Sequence, residues 1–258
     1  MSGARVAAER AARFVAEHGS EWQRERARAI RGEIGEELAL ALVAEPTPDD
    51  LVALAHALSA CDELRALRSP LAQRTCAALE TLQGADGGFG DPALPREARL
   101  QRTGEVGGVL ARSPFARPHT LDAAGSFLAS QFSPDLLQGF HYENVAAYAG
   151  FFANALHEAA DEILQWCGRE LERGFRARRF GALDTLRVLL RCDAHALPGA
   201  RLDPQELLLS LLAEQAVDGS FGAAAEPAER VEATLLGLRA LDFVAGAGRG
   251  LDSPRAPR

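Results

Sequence analysis

Two segments of the sequence share the pattern Q-x-x-D-G-x-F-G, and their first residues lie 132 positions apart. Each segment follows a leucine-rich stretch with the length of a helix. A match at five fixed positions is improbable by chance, so the two segments indicate an internal repeat. The shared residues are Gln83, Asp86, Gly87, Phe89 and Gly90 in the first segment, and Gln215, Asp218, Gly219, Phe221 and Gly222 in the second.

Weaker copies of the pattern fill the interval between the two segments. Gln131 ends another apolar stretch 48 residues after Gln83, and Phe180 lies 41 residues before Phe221. The implied period of 41–48 residues is the size of one helical hairpin in a stacked array.

The motif itself has a structural interpretation. Asp-Gly gives a tight turn that accepts a positive φ and so ends the helix before it. The phenylalanine can cover the helix end, and the glutamine amide can satisfy unpaired backbone groups at a neighbouring helix terminus. We therefore expect the motif to be a structural staple, with no catalytic role for Gln83 or Gln215.

Helical periodicity extends over most of the chain, as in the apolar series Ile30, Ile34, Leu38 and Leu42. No run of alternating β-branched residues indicates a strand. We predict an all-α fold of about five helical hairpins, with helices near 3–18, 21–44, 48–61, 70–83, 119–131, 142–158, 160–173, 181–192, 204–216 and 228–245.

A single domain is expected over residues 1–245, with N-terminal helices in 1–47 and a flexible tail in 246–258. Residues 84–118 are rich in glycine and proline and are expected to form a long loop, within which a short helix from Arg96 to Val109 is possible.

Composition limits the partners and the compartment. The formal net charge of −8 argues against a nucleic-acid partner. No apolar run approaches the roughly 20 residues of a membrane-spanning helix, and residues 1–18 do not have the pattern of a signal peptide. The four cysteines form no C-x-x-C pair. We expect a cytoplasmic protein with reduced thiols and no transmembrane segment.

The two Q-x-x-D-G-x-F-G segments resemble the glutamine-and-aromatic repeats of squalene–hopene cyclases, related terpene cyclases and protein prenyltransferase β-subunits. The resemblance covers roughly residues 48–245. It implies an α/α toroid, complete or partial, in which inner helices surround an apolar cavity and outer helices lie behind them. It is specific for the fold and gives little information on function.

The acid motif of these cyclases, D-x-D-D, is the first feature that the resemblance implies. The best-placed segment here begins at His119, has Leu121 at the position of the proton-donating acid, and keeps only the last acid, Asp122. Asp122 is therefore a catalytic candidate, and His119 a ligand-binding candidate. The alternative for Asp122 is an acid that stabilises the start of a helix.

The zinc site of prenyltransferases is the second such feature. The expected D-x-C with a distant histidine is missing, and Cys192, Asp193 and His195 are crowded into one short segment. Three ligands from four residues rarely give good tetrahedral geometry. We expect neither a metal nor another cofactor, and interpret Cys192 as a buried residue at a helix end.

Other polar residues at expected helix starts are candidates for the cavity wall. Glu143 and Glu232 are possible general acids, because an apolar wall raises the pKa of a carboxyl. The ligand-binding candidates beside His119 are Tyr142, Asn144, Tyr148 and Asp184. The alternative for the segment around Tyr142 is a capped helix with an aromatic core stripe.

Two kinds of function remain open from the sequence. The resemblance implies a protein that binds an isoprenoid-like apolar molecule and cyclises or transfers it, although the D-x-D-D and zinc motifs are missing. The alternative is a non-catalytic helical-repeat scaffold, or an accessory subunit, that binds a protein partner through a charged groove. The sequence does not decide whether the chain is an enzyme.

Overall fold

The computed structural model describes residues 2–134 and 142–251, and the regular structure in this part of the chain is helical. One isolated antiparallel bridge joins Gln83 to Phe89. The all-α class is therefore confirmed. The helices are α1 (Ser2–His18), α2 (Glu21–Ile30), α3 (Glu36–Leu40), α4 (Leu51–Glu63), α5 (Pro70–Thr81), α6 (Arg96–Arg112), α7 (Pro118–Gln131), α8 (Tyr142–Phe152), α9 (Ala160–Arg176), α10 (Ala182–Arg191), α11 (Pro204–Glu214) and α12 (Pro227–Leu251).

Short polar side chains define where several helices begin. Ser20 forms a capping box with Gln23 before α2. Asp50 accepts hydrogen bonds from two backbone amides of α4. Ser69 and Asp203 cap α5 and α11, each followed by proline at the first helical position.

Three sequence predictions are corrected by the observed helices. The expected helix 21–44 is two helices, α2 and α3, separated by a turn in which Gly32 has a φ of 71°. The expected loop 84–118 contains α6, a full helix from Arg96 to Arg112. The expected tail from residue 246 is still helical to Leu251, and residues 252–258 lie outside the described part of the chain.

The even-numbered helices contact one another in chain order, from α4 to α6, α8, α10 and α12, and α12 also contacts α2. Helices α5, α7, α9 and α11 each contact the even-numbered helix that precedes them. Helix α1 packs along α12, so the first and last helices are in contact.

Glycines bring α6 and α8 unusually close together. A Cβ atom on Gly104 would come within 2.5 Å of the Ala147 Cβ, and one on Gly108 within 2.9 Å of the Gly150 carbonyl oxygen. A Cβ atom does not approach another carbon or an oxygen atom so closely, so α6 requires glycine at these positions. The low helical propensity of glycine explains why the sequence of α6 resembles a loop.

The two repeat motifs make the same hydrogen bonds. Gln83 Nε2 donates to the carbonyl oxygens of Gly87 and of Thr120 in α7, both at 2.9 Å. Gln215 Nε2 donates to the carbonyl oxygens of Gly219 at 2.9 Å and of Ala7 in α1 at 2.8 Å. The first motif is therefore bonded to α7, and the second motif is bonded in the same way to α1.

The repeat extends into the helix that follows each motif. The backbone amide of Phe89 donates to Thr103 Oγ1 at 2.9 Å, and that of Phe221 donates to Thr234 Oγ1 at 3.0 Å. One turn before each threonine, an arginine forms an ion pair with the aspartate of the motif and lies over an aromatic ring of α7 or α1. These sets are Arg99 with Asp86 and Phe127, and Arg230 with Asp218 and Phe14.

Candidate functional site

A cavity of about 270 Å³ lies between α4, α6, α8, α10 and α12, and we call it the central pocket. Its lining includes four arginines and four carboxylates. The arginines are Arg112, Arg187, Arg191 and Arg239. The acids are Asp62, Glu63, Glu105 and Glu232.

The rest of the central pocket is formed mainly by small and aliphatic residues, and its lining contains no aromatic side chain among the described residues. Gly104 and Gly108 of α6 and Gly150 of α8 place helix backbone at the wall. The glycines that allow α6 and α8 to approach each other therefore also shape the pocket.

Arg112 is held firmly at one side of the central pocket. Its guanidinium pairs with Asp62 of α4 at 3.0 Å. It also donates to the carbonyl oxygens of Leu190 and Arg191, at 3.0 and 3.2 Å, near the end of α10. One side chain thus joins α4, α6 and α10.

Next to the Arg112–Asp62 pair, a chain of ion pairs joins α4 to α2 and α12. Glu63 accepts from Arg239 at 3.0 Å and from Arg26 at 2.7 Å, and Arg26 reaches Glu232 at 2.9 Å. Burial lowers the pKa of Arg26, but Glu63 and Glu232 outweigh this effect and leave the pKa above its ordinary value. Burial raises the pKa of Asp62, although Arg112 and Arg239 oppose that effect.

A second cavity, of about 950 Å³, lies beyond these ion pairs, toward the end of α2. The two cavities share five lining residues: Asp62, Glu63, Arg112, Leu190 and Arg239. The wall between the cavities is therefore made mostly of paired charges.

The α10 side of the central pocket is less tightly paired. Arg191 lies 3.6 Å from Glu105, and Arg187 lies 4.0 Å from Asp184. Both distances exceed those of a good N–H···O hydrogen bond, which is about 2.7–3.2 Å long. These guanidinium groups keep donors available for another partner.

No family model matches this sequence, and neither a curated protein nor a solved structure matches it. The interpretation of the pocket therefore depends on its own geometry.

Among the three predicted catalytic candidates, the structure brings only Glu232 to the central pocket. Its carboxylate is held by Arg26 and by the Gln23 amide at 2.8 Å. Asp122, on α7, and Glu143, at the start of α8, have exposed side chains and lie outside the lining of the two cavities described above.

The predicted ligand-binding residues are dispersed. His119 is exposed on α7, and Asp184 lies beside Arg187. The Tyr142 hydroxyl donates to the Asp184 carbonyl oxygen at 3.0 Å, and burial raises the pKa of Tyr142 to about 12. These contacts stabilise α8 against α10.

Asn144 and Tyr148 are buried. Asn144 exchanges hydrogen bonds of 2.9 Å with Glu97 and Gln101 of α6. Tyr148 is fully buried among aromatic rings, and burial raises the pKa of its phenol. Tyr148 therefore matches the aromatic core stripe that the sequence left as the alternative, whereas Asn144 joins α8 to α6 through hydrogen bonds.

The segment from Cys192 to His195 does not gather metal ligands. Cys192 is buried, and its pKa is raised to about 12 by burial. His195 is exposed and stacks on Phe243, with ring centroids 4.2 Å apart. Within the described residues, no three His, Cys, Asp or Glu side chains are grouped so that they could hold a metal ion.

Sequence reasoning missed most of the charged residues of the central pocket. Arg187 and Arg191 are spaced by four on α10, which places them on one helix face, and this spacing was the available signal. Arg112 lies in the segment that was expected to be a loop, and the pairing of Glu63 with Arg239 depends on tertiary structure alone.

In the part of the chain that the structure describes, none of the helices combines the length and apolar character needed to cross a membrane.

Proposed function

We propose that the chain forms an α/α toroid, with the even-numbered helices inside and the odd-numbered helices outside. The successive contacts of α4 to α12, and the cavity that these helices line together, support this arrangement. The contacts of α12 with α1 and α2, and the ion pair between Arg26 of α2 and Glu63 of α4, support closure of the ring. Such a fold agrees with the resemblance to terpene cyclases and prenyltransferase β-subunits, which rests on the repeat.

We infer that this toroid is a binding protein whose central pocket takes a small, charged ligand. The observation that carries this proposal is the lining of four arginines and four carboxylates. Ion pairs and hydrogen bonds to charged groups recognise polar ligands and give orientation and specificity.

An isoprenoid would be a poor occupant of such a pocket. Its apolar chain would displace water from the loosely paired Arg187, Arg191 and Glu105 and offer no hydrogen bonds in return, and burying unsatisfied charges is costly. The volume of about 270 Å³ is also below the roughly 300–1,000 Å³ of pockets for drug-sized ligands. A smaller polar molecule fits both properties.

The position of Gly150 permits a direct test. A Cβ atom there would find its nearest neighbour, the Arg191 Cβ, at 3.8 Å, and Gly150 lines the pocket. Gly150→Leu therefore fills the pocket from its wall. Ser126→Leu adds the same side chain at an exposed position of α7 and is the matched control.

Thermal-shift measurements with a set of small charged metabolites, and with farnesol and farnesyl diphosphate, distinguish a small charged ligand from an isoprenoid. We expect at least one small charged compound to raise the Tm of the wild type and of Ser126→Leu, and to leave Gly150→Leu unchanged. A Tm increase produced only by the isoprenoids, and lost in Gly150→Leu, would establish the apolar-ligand function instead. If no compound raises the Tm, the binding proposal is wrong.

A further inference from the structure

Arg187 and Arg191 differ from the other arginines of the central pocket in how they are paired. Arg112 and Arg239 hold carboxylates at 3.0 Å, whereas Arg191 and Arg187 are 3.6 and 4.0 Å from theirs. The side chains of Arg191 and Arg187 are 44% and 38% exposed, against 18% and 21% for Arg112 and Arg239. Two guanidinium groups one helical turn apart are thus accessible to a ligand from within the pocket.

Glu105 provides the opposite charge on the facing helix. It lines the pocket from α6, its side chain is 39% exposed, and it lies 3.6 Å from Arg191 and 3.9 Å from Arg102. Neither contact is as short as a good hydrogen bond. Within the pocket lining, the loosely paired charges are therefore two cations, Arg187 and Arg191, and one anion, Glu105.

We propose that Arg187, Arg191 and Glu105 form a recognition site for a small zwitterion of the α-amino-acid type. This rests on the proposed function, whose ligand it specifies. The arginines take the carboxylate, and Glu105 takes the ammonium group. In an α-amino acid both groups are bonded to the same carbon, so the ligand requires opposite charges that lie close together, as Arg191 and Glu105 do.

The charge balance of the pocket favours a zwitterion over a simple ion. The loosely paired charges in the lining are two cations and one anion, so a ligand with charges of both signs finds a partner for each. A phosphate dianion would lie beside Glu105 and be repelled by it, and a plain amine would face Arg187 and Arg191. Like charges at such short range disfavour binding.

The remaining wall indicates an aliphatic side chain on the ligand. Val109, Ala146, Leu190 and Leu236 also line the central pocket. These apolar groups gain from contact with an aliphatic chain, at about 25 cal/mol for each Å² of apolar area removed from water. Leucine and its two incomplete analogues are therefore suitable probes.

Isothermal titration calorimetry on the full chain tests the proposal with four probes: L-leucine, isocaproate (which lacks the ammonium), isoamylamine (which lacks the carboxylate) and inorganic phosphate. We expect L-leucine, or another of the twenty amino acids titrated in the same way, to bind at least ten-fold more tightly than isocaproate, isoamylamine and phosphate. If none of the twenty does so, the proposal is wrong.

Three variants assign the roles. Arg187→Ala and Arg191→Ala should each weaken amino-acid binding at least ten-fold, and the exposed control Arg13→Ala on α1 should leave it unchanged. Glu105→Gln should weaken amino-acid binding at least five-fold while leaving isocaproate binding the same or tighter. Equal binding of the amino acid by wild type and Glu105→Gln would overturn the zwitterion assignment.

The experiments distinguish failure of the amino-acid site from failure of the proposed binding function. If other charged compounds stabilise the protein and Gly150→Leu abolishes their effect, while no amino acid binds, only the zwitterion site is disproved. If no charged compound binds at all, both proposals are wrong.

Discussion

The side-chain amide of Gln215 donates a hydrogen bond of 2.8 Å to the carbonyl oxygen of Ala7, which lies 208 residues earlier in the chain. Gln83 makes the corresponding bond to Thr120, 37 residues later. The same staple thus joins neighbouring segments in one copy, and joins the end of α11 to α1 in the other.

Gln215→Ala should destabilise the protein by roughly 1–3 kcal/mol, because it removes two hydrogen bonds, one to the Gly219 carbonyl and one to the Ala7 carbonyl of α1. Urea denaturation followed by circular dichroism measures this change. Gln83→Ala is the matched variant, and we expect a loss of similar size. A loss near zero in both variants would show that the motif does not stabilise the fold.

Gly104→Ala and Gly150→Ala should have opposite effects, although both residues lie in helices and line the same pocket. At Gly104 the new methyl group would collide with Ala147, whereas at Gly150 its nearest neighbour is 3.8 Å away. We expect Gly104→Ala to cost about 1–3 kcal/mol and Gly150→Ala to gain up to about 1 kcal/mol from helical propensity. Thermal and urea unfolding of both variants measure the difference, and equal effects would contradict the close approach of α6 to α8.

Arg112→Ala should destabilise the protein by about 3 kcal/mol at pH 7, because it leaves the mostly buried carboxylate of Asp62 without its closest partner. Burial already raises the pKa of Asp62, and loss of Arg112 raises it further. A carboxyl with a raised folded-state pKa binds its proton more readily in the folded protein, so the folded state gains stability as the pH falls.

The loss in Arg112→Ala should therefore be smaller at pH 5 than at pH 7 in urea denaturation. The double variant Asp62→Asn/Arg112→Ala removes the isolated charge, and its stability should depend less on pH than that of the single variant. A loss that is the same at pH 5 and pH 7 would argue against the unpaired carboxylate as its cause.

Asp218→Asn should reduce the loss of stability in acid. Hydrogen bonds from Ser220 and, beyond them, Arg230 lower the pKa of Asp218 to about 2, below the value of about 3.9 for an unfolded aspartate. Its contribution is therefore present above pH 4 and disappears as the pH falls toward 2.

Urea midpoints at pH 5 and pH 2.5 measure this effect, and the wild type should lose more between them than Asp218→Asn. Ser220→Ala removes the donor that lowers the pKa most, so its loss should lie between the two. Identical losses in all three proteins would show that Asp218 is not linked to folding in this range.

Local signals in the sequence predicted the helical class and several helix starts correctly. The helices predicted near 70–83 and 204–216 begin at Pro70 and Pro204, directly after the caps Ser69 and Asp203. The same reasoning failed for α6, because Gly104 and Gly108 lower its helical propensity. These glycines are needed for the close contact with α8, which no local sequence pattern shows.

The charged site was largely beyond prediction for a similar reason. Arg112, Glu63 and Arg239 lie on three different helices, and their partners are distant in sequence. Polar residues at helix starts were favoured as cavity candidates, but an N-terminal position does not decide which face of a helix a side chain occupies. Asp122, for example, lies on the exposed face of α7.

The bond between Gln215 and Ala7 has a consequence for how such a chain can change in length. Open stacks of helical hairpins gain or lose units at their ends, since each unit contacts only its neighbours. Here an additional hairpin after α12 would compete with α1 for the second motif. A unit added after α12 must therefore break an existing contact before it forms a new one, which opposes growth of the array at this position.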